Sequence, residues 1–298
     1  MPTQSAAQRV TERTVEVDGR QRRYTVVDSG EEAARGGAAV LVFHGSNQTA
    51  AQLRRATGGA FDDLATGSTP APTVVAYLHG HRRSWHDARA SVHLAAHRDG
   101  VDDVAFTAAV VDALTTSHGI DRGRVYAVGF SNGGQLVIRL AHQAPTLLAG
   151  AAVIAATQPV PEDWALPPAP AVPLPVLLVH GTRDPLVPYE GGPASLWGLR
   201  PRGRGLSAAE TATYFAGRNG LTAAPTVTAL PPLDPADPTW VERTDVREEG
   251  RPAVTLYSVH GGGHTVPGRH AFPRVMGRTS RQLDTARAVA DFFGLPVG

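Results

Sequence analysis

The 298-residue chain contains no cysteine, which removes disulfides, thiolate catalysis, sulfur-ligated zinc and cysteine-borne lipids from consideration. It has almost no net charge, with 28 Lys and Arg against 27 Asp and Glu for a formal +1. The arginines are scattered, so no basic stripe argues for nucleic acid and no acidic run for a solvating tail. No stretch approaches the ~18 consecutive apolar residues of a membrane span. The opening MPTQSAAQRVTERTVEV lacks the apolar core of roughly 7–15 residues that marks a secretory signal. Neither nucleic acid nor membrane is an expected partner. The expected location is cytoplasmic, or extracellular if a signal peptide has been removed.

What is present suits an ordinary globular protein. Hydrophobic residues make up 42% and charged residues 18%, enough apolar content to bury a substantial core. Residues 11–28 alternate around Asp18-Gly19, a dipeptide suited to a tight hairpin turn with positive φ. Apolar runs follow at 39–43, 73–78, 125–128, 176–179 and 254–259. They lack the polar alternation of a one-sided strand, so they suit strands covered on both faces, as in a parallel sheet. Between them lie helical patterns. Val101, Val104, Ala105, Ala108, Val111 and Leu114 share one face, with Gly119 placed as a C-cap. Further helices are predicted over 132–142, 207–219 and 280–293. The alternation predicts a single α/β domain over 1–298, with a mostly parallel sheet, flanking helices and an N-terminal antiparallel hairpin. Pro- and Gly-rich stretches at 157–175 and 190–205 are expected to be irregular excursions, and a third Pro-rich stretch lies at 225–238.

The segment RVYAVGFSNGG places Ser131 between a strand and a helix, flanked by Gly129 and Gly133. A hydroxyl is a weak nucleophile and must be presented on an unobstructed turn. Glycines permit that turn, and the backbone amide of Asn132, at a helix N-terminus, can face a developing oxyanion. The five-residue pattern alone is weakly specific; the strand before it and the helix after it give it weight. A second amide is expected from VLVFHGSNQTA, where Gly45 lets the backbone turn and Ser46 is the candidate donor. His44 is read as shaping that loop.

A serine nucleophile needs an imidazole base oriented by a carboxylate. His264, on the glycine-rich loop after the last predicted strand, is the candidate base, with His260 a structural rival. Asp184, in the loop after VLLVHG, is the candidate acid; Asp163 and Asp234 are weaker. The order Ser131, Asp184, His264 is that of α/β-hydrolases. All three loops leave the carboxyl ends of strands, where open parallel sheets place their sites.

Five segments in this order, VFHGSNQTA, GVDDVAFTAAVVDAL, RVYAVGFSNGG, LLVHGTRDPLVPY and GGGHTVPG, resemble the polyhydroxybutyrate depolymerase, feruloyl esterase and acetylxylan esterase group of α/β-hydrolases. The resemblance spans about residues 13–294. It implies an α/β-hydrolase fold and cofactor-free, metal-free hydrolysis of carboxylic esters, with Ser131, Asp184 and His264 as the triad and Ser46 and Asn132 as oxyanion donors. Its implied substrates are small or oligomeric esters with short-chain, feruloyl, acetyl or hydroxyalkanoate groups. Asp102 and Asp103 match the family's helix start and are read as structural. Where many relatives carry tryptophan two residues after the catalytic histidine, this chain has Val266. Two alternatives stay open: a serine peptidase of the prolyl oligopeptidase type, and a non-catalytic binding protein on the same fold. The histidines at 79, 81, 86, 93 and 97 form no settled metal-ligand set and are read as surface or pocket-rim residues. Trp164 and Trp197, in the two excursions, either line a pocket or pack on the body of the protein.

Overall fold

A computed structural model describes residues 8–29, 36–66, 72–196 and 200–297. Trp197 lies outside the described residues. The chain opens with the expected hairpin, β1 (Arg9–Val17) and β2 (Arg20–Asp28), paired antiparallel. Asp18 and Gly19 both take positive φ, 50° and 71°, as a two-residue turn of this hand requires.

The apolar runs become β3 (Gly37–Phe43), β4 (Thr73–Leu78), β5 (Ile120–Phe130), β7 (Val176–Gly181) and β12 (Val254–His260), with β6 (Gly150–Ile154) between β5 and β7. Every residue of β3, β4, β6 and β7 is buried. The remaining strands are β8 (Gly192–Leu196), β9 (Arg200–Gly205), β10 (Thr226–Ala229) and β11 (Trp240–Val246). Ten strands form one sheet in the order β1-β2-β4-β3-β5-β6-β7-β12-β11-β10. Its six central strands, β4 to β12, run parallel, and antiparallel pairs close both ends.

Helices α1 (Ala50–Ala56), α2 (Ala95–Arg98), α3 (Asp103–His118), α4 (Asn132–Gln143), α5 (Ala208–Arg218) and α6 (Thr285–Phe293) accompany the sheet. Two apolar cores lie on its two faces. One gathers Phe106 and Leu114 of α3, Leu136 and Leu140 of α4 and Phe215 of α5; the other gathers Leu53 of α1, Phe61 and Val289 of α6. Each such side chain contributes about 1.5–3 kcal/mol by leaving water.

Local chemistry sets the helix ends. Asp102 caps α3 by accepting from Ala105 N–H at 2.8 Å, and Gly119 ends it in the left-handed region at φ 60°. Ser207 and Glu210 form a capping box, so Ser207 precedes α5 where the sequence reading places it inside. Asp284 caps α6, which therefore starts at Thr285 and not at Ser280.

The stretch 157–175 is irregular apart from a short 3-10 turn at Pro161–Asp163 and single antiparallel bridges from Pro159 to Gly205 and from Trp164 to Arg89. The stretch 190–205 differs from the irregular excursion expected: β8 and β9 pair antiparallel across it. Strand pairing is made by the backbone, so a Gly- and Arg-rich segment can form it once packed against a surface. Gly203, at φ 86°, sits where a Cβ would lie 2.4 Å from Asp163 Oδ2 and 3.1 Å from Arg89 Cδ. Asp163 accepts from Arg204 N–H and Ser91 N–H, each at 2.8 Å, fastening β9 to the body of the protein.

Candidate active site

Ser131 occupies the turn between β5 and α4 with φ 55° and ψ −117°, a conformation that costs a residue with a side chain about 1–3 kcal/mol. The surroundings enforce it. A Cβ on Gly129 would lie 2.3 Å from the Gly133 carbonyl oxygen, and one on Gly133 would lie 2.3 Å from that of Phe43. Both glycines are required because α4 starts directly against β3. Strain is concentrated here. Of the six non-glycine residues with positive φ among those described, Asn47, Arg82, Arg83, Ser131 and Ala155 all lie in loops at this end of the sheet, and only Asp18 does not.

The structure brings Ser131, His264 and Asp184 together. His264 Nε2 lies 2.8 Å from Ser131 Oγ, and His264 Nδ1 lies 2.7 Å from Asp184 Oδ2. A carboxylate only accepts, so Nδ1 carries the proton, which leaves Nε2 free to accept from the serine hydroxyl. Gly263 makes the histidine loop compact. A Cβ there would lie 2.3 Å from the Met276 carbonyl oxygen, which itself accepts from His264 N–H at 2.7 Å. Phe130 lies against the imidazole, with ring centroids 5.1 Å apart.

Asp184 is held on every side. Its Oδ1 accepts from Leu186 N–H and Val187 N–H, both at 2.8 Å, the local turn expected of an aspartate. Burial alone would raise its pKa, but the neighbouring His264 and His180 outweigh that and hold it well below the usual carboxylate range. His180, four residues earlier on β7, donates from Nε2 to the Val187 carbonyl at 2.9 Å and stands 3.5 Å from Asp184 Oδ2. The sequence reading passes over His180; its signal was the i, i+4 spacing across the strand end.

Ser46 and Asn132 line the same cavity as Ser131 and His264. Asn132 is the first residue of α4, so its N–H has no acceptor within the helix. Its side chain has work of its own: Oδ1 accepts from Trp85 N–H at 2.9 Å, and Nδ2 donates to Asp87 Oδ2 at 2.7 Å and to the Trp85 carbonyl at 3.3 Å. Trp85, fully buried, donates its indole N–H to the His44 carbonyl at 2.7 Å. His44 shapes the loop before Ser46, as expected. Its Nδ1 donates to the Gly45 carbonyl at 2.8 Å and its Nε2 accepts from Gly80 N–H at 2.9 Å. Burial drops its pKa to about 4, so the ring is neutral and keeps that tautomer.

Beneath Asn132 lies a buried ion pair. Asp87 meets Arg89 through Nε at 2.9 Å and Nη2 at 2.6 Å. Burial would raise the Asp87 pKa, but Arg89 more than reverses that, and the carboxylate stays ionised. Arg89 Nη1 then donates to the Arg202 carbonyl at 2.5 Å, linking this pair to β9. Neither Asp87 nor Arg89 was a candidate from sequence, because contacts to partners 45 and 113 residues away leave no local pattern.

The other candidates sit elsewhere. His260 stacks on Trp240 with centroids 3.7 Å apart, and Asp234 pairs with Arg281. Asp103 is buried against Arg22 at 2.6 Å and accepts from His86 N–H, a structural role. Val266 is buried in the core with Phe272. Trp164 packs on His142, ring centroids 4.6 Å apart. The cavity at the serine is narrow, about 50 Å³, and β9 contributes Arg202, Gly203 and Arg204 to its wall.

A family model described as Phospholipase/Carboxylesterase matches residues 23–196. NocK of Nocardia uniformis subsp. tsuyamanensis, a protein named as an esterase, is 35% identical over 292 residues, covering 95% of this chain and 82% of the relative. Feruloyl esterase B of Piromyces equi is 31% identical over 171 residues, 55% of this chain and 29% of that protein. Among solved structures, acetyl xylan esterase from Aspergillus awamori superposes with a TM-score of 0.62 at 15% identity, over 95% of this chain and 99% of that one. At that identity the likeness speaks for the fold.

Proposed function

The chain belongs to the phospholipase/carboxylesterase family of ester hydrolases, and from that premise we propose that it cleaves carboxylic esters by acyl transfer through Ser131, His264 and Asp184. The observation that carries the reading is the continuous hydrogen-bonded chain from Ser131 Oγ through both nitrogens of His264 to Asp184.

In the first half-reaction His264 Nε2 takes the hydroxyl proton as Ser131 Oγ attacks the ester carbonyl. Negative charge develops on the carbonyl oxygen, and the amides of Ser46 and Asn132 stabilise it. Collapse of the tetrahedral intermediate breaks the bond to the alcohol oxygen, which receives the proton back from His264. In the second half-reaction the same imidazole deprotonates water, which attacks the acyl-enzyme and releases the acid. Asp184 fixes the imidazole orientation and supports its positive charge in both halves.

The narrow cavity at Ser131 favours a slender acyl group, such as acetyl or another short chain. Feruloyl and hydroxyalkanoate esters are the bulkier substrates to compare. The test is Ser131→Ala. Turnover of a short-chain aryl ester is expected to fall by roughly 10⁴-fold or more, and labelling by a fluorophosphonate probe to disappear. Near-unchanged turnover in a folded Ser131→Ala protein would end the proposal.

A further inference from the structure

Beside the narrow cavity at Ser131 lies a second, wider cleft of about 320 Å³. The two share Leu94 and Arg202 as lining residues, so they adjoin at one wall. Arg82, Arg98 and His93 contribute to the far side, and Asn47, next in sequence to Ser46, forms its edge toward the oxyanion loop. No carboxylate is among its described lining residues.

Among the described residues, Arg82 and Arg98 outnumber the carboxylates that meet them. Asp99 is the nearby carboxylate, and it meets His81 at 2.7 Å and Arg82 at 3.3 Å. Asp87 is taken by Arg89, and Asp163 by the amides of Ser91 and Arg204. Arg98 is steadied by donating from Nη1 to the His93 carbonyl at 3.0 Å. Among the described residues one carboxylate, Asp99, thus answers both Arg82 and Arg98, so these two side chains bring more positive charge to the concave surface beside the nucleophile than it cancels.

The backbone carries a second, independent sign. Arg82 and Arg83 take φ of 46° and 63°, the two central positions of the turn closed by Ser84 N–H to the His81 carbonyl at 3.0 Å. Such turns normally carry Asn-Gly, since left-handed backbone is unfavourable for a long side chain. Here arginine occupies both, and the Arg83 carbonyl accepts from Asn47 N–H at 2.8 Å, which ties this basic turn to the oxyanion loop. Strained residues gather where function requires a particular side chain in a particular place.

We propose that the cleft bounded by Arg82, Arg98 and Arg202 is a subsite for a carboxylate on the substrate, so that the preferred esters carry an anionic group in addition to the scissile ester. The inference rests on the esterase reading above and specifies its substrate class. The narrow cavity takes the slender group at the reacting carbonyl, and the wider basic cleft takes the charged end.

The test uses two pairs of esters. One places the charge on the acyl side, 4-nitrophenyl hydrogen adipate against its methyl-capped form. The other places it on the alcohol side, 4-carboxyphenyl butyrate against its methyl-capped form. Binding is measured by titrating Ser131→Ala protein, which needs no turnover, and kcat/KM is measured on the wild-type protein. One carboxylate ester is expected to bind about tenfold tighter than its capped partner, a preference that shrinks as salt approaches about 0.5 M. Arg98→Gln and Arg82→Asn should each reduce that ratio severalfold while leaving turnover of the capped ester within about twofold. Asn suits the left-handed backbone at position 82, so the second variant keeps the turn. Equal or weaker binding of both carboxylate esters at low salt would overturn the subsite, as would a preference untouched by both variants. Ser131-dependent turnover of the capped esters reports separately on the esterase reading.

Discussion

Asn132 performs two tasks with two parts of one residue. Its backbone N–H opens α4 toward the cavity, while its side chain spans Trp85 and Asp87. In the sequence only the backbone amide of Asn132 has a role. With the bridge visible, Asn132→Ala leaves the buried Trp85 N–H without its acceptor and removes one donor from a buried carboxylate. A destabilisation of about 2–4 kcal/mol is expected, read as a lower midpoint in urea unfolding. Turnover should fall too, because Trp85 holds the His44 carbonyl and through it the loop bearing Ser46. A variant as stable as the parent would show that the bridge contributes nothing net.

Among the elements, β5, the Ser131 turn and α4 act as one unit. Gly133 rests against the end of β3, and a methyl group there meets the Phe43 carbonyl oxygen at 2.3 Å. Gly133→Ala must therefore push α4 away from the sheet and carry Ser131 with it. Displacement of a reacting group by about 1 Å costs on the order of 10²-fold in rate, so kcat of the folded fraction, checked by circular dichroism, is expected to fall at least that far. These elements were also the most legible ones. The apolar runs of β3, β4, β5, β7 and β12 stand out because both faces are covered, and Ser131, Asp184 and His264 stand out because turn chemistry marks strand ends. Other elements carried no such mark. β6 is the short GAAVI, β11 is the charged WVERTDV, and β9 is RPRGRG. Each is a strand because a neighbour offers it a backbone edge, which composition does not record. The same holds for Trp85, Asp87 and Arg89 behind the site, whose partners at Asn132, His44 and Arg202 only the tertiary fold introduces; His180 differs, since its spacing to Asp184 is local.

For the whole molecule, acid should weaken the fold through histidines buried in neutral form. Burial brings both His44 and His142 to about 4, below the ordinary value of 6.5. The unfolded chain therefore binds protons that the native state refuses, so their contribution is intact above about pH 6.5 and is lost progressively as the pH falls toward 4. For His44 alone the full loss is on the order of 3 kcal/mol. The thermal midpoint is expected to drop across that interval, and a His142→Gln variant to show a shallower fall. A midpoint flat from pH 6.5 to 4 would contradict the neutral burial of these rings.

The sheet ends as deliberately as it is filled. β1, on one margin, carries Arg9, Glu12, Arg13 and Glu16 along its nine residues, and β10, on the other, is only four residues long. A neighbouring molecule seeking to extend the hydrogen-bond ladder meets alternating charge at one border and too short a rail at the other. The expected consequence is resistance to fibrillar stacking, since neither border of the ten-stranded sheet offers a long uncharged rail for another copy to zip onto.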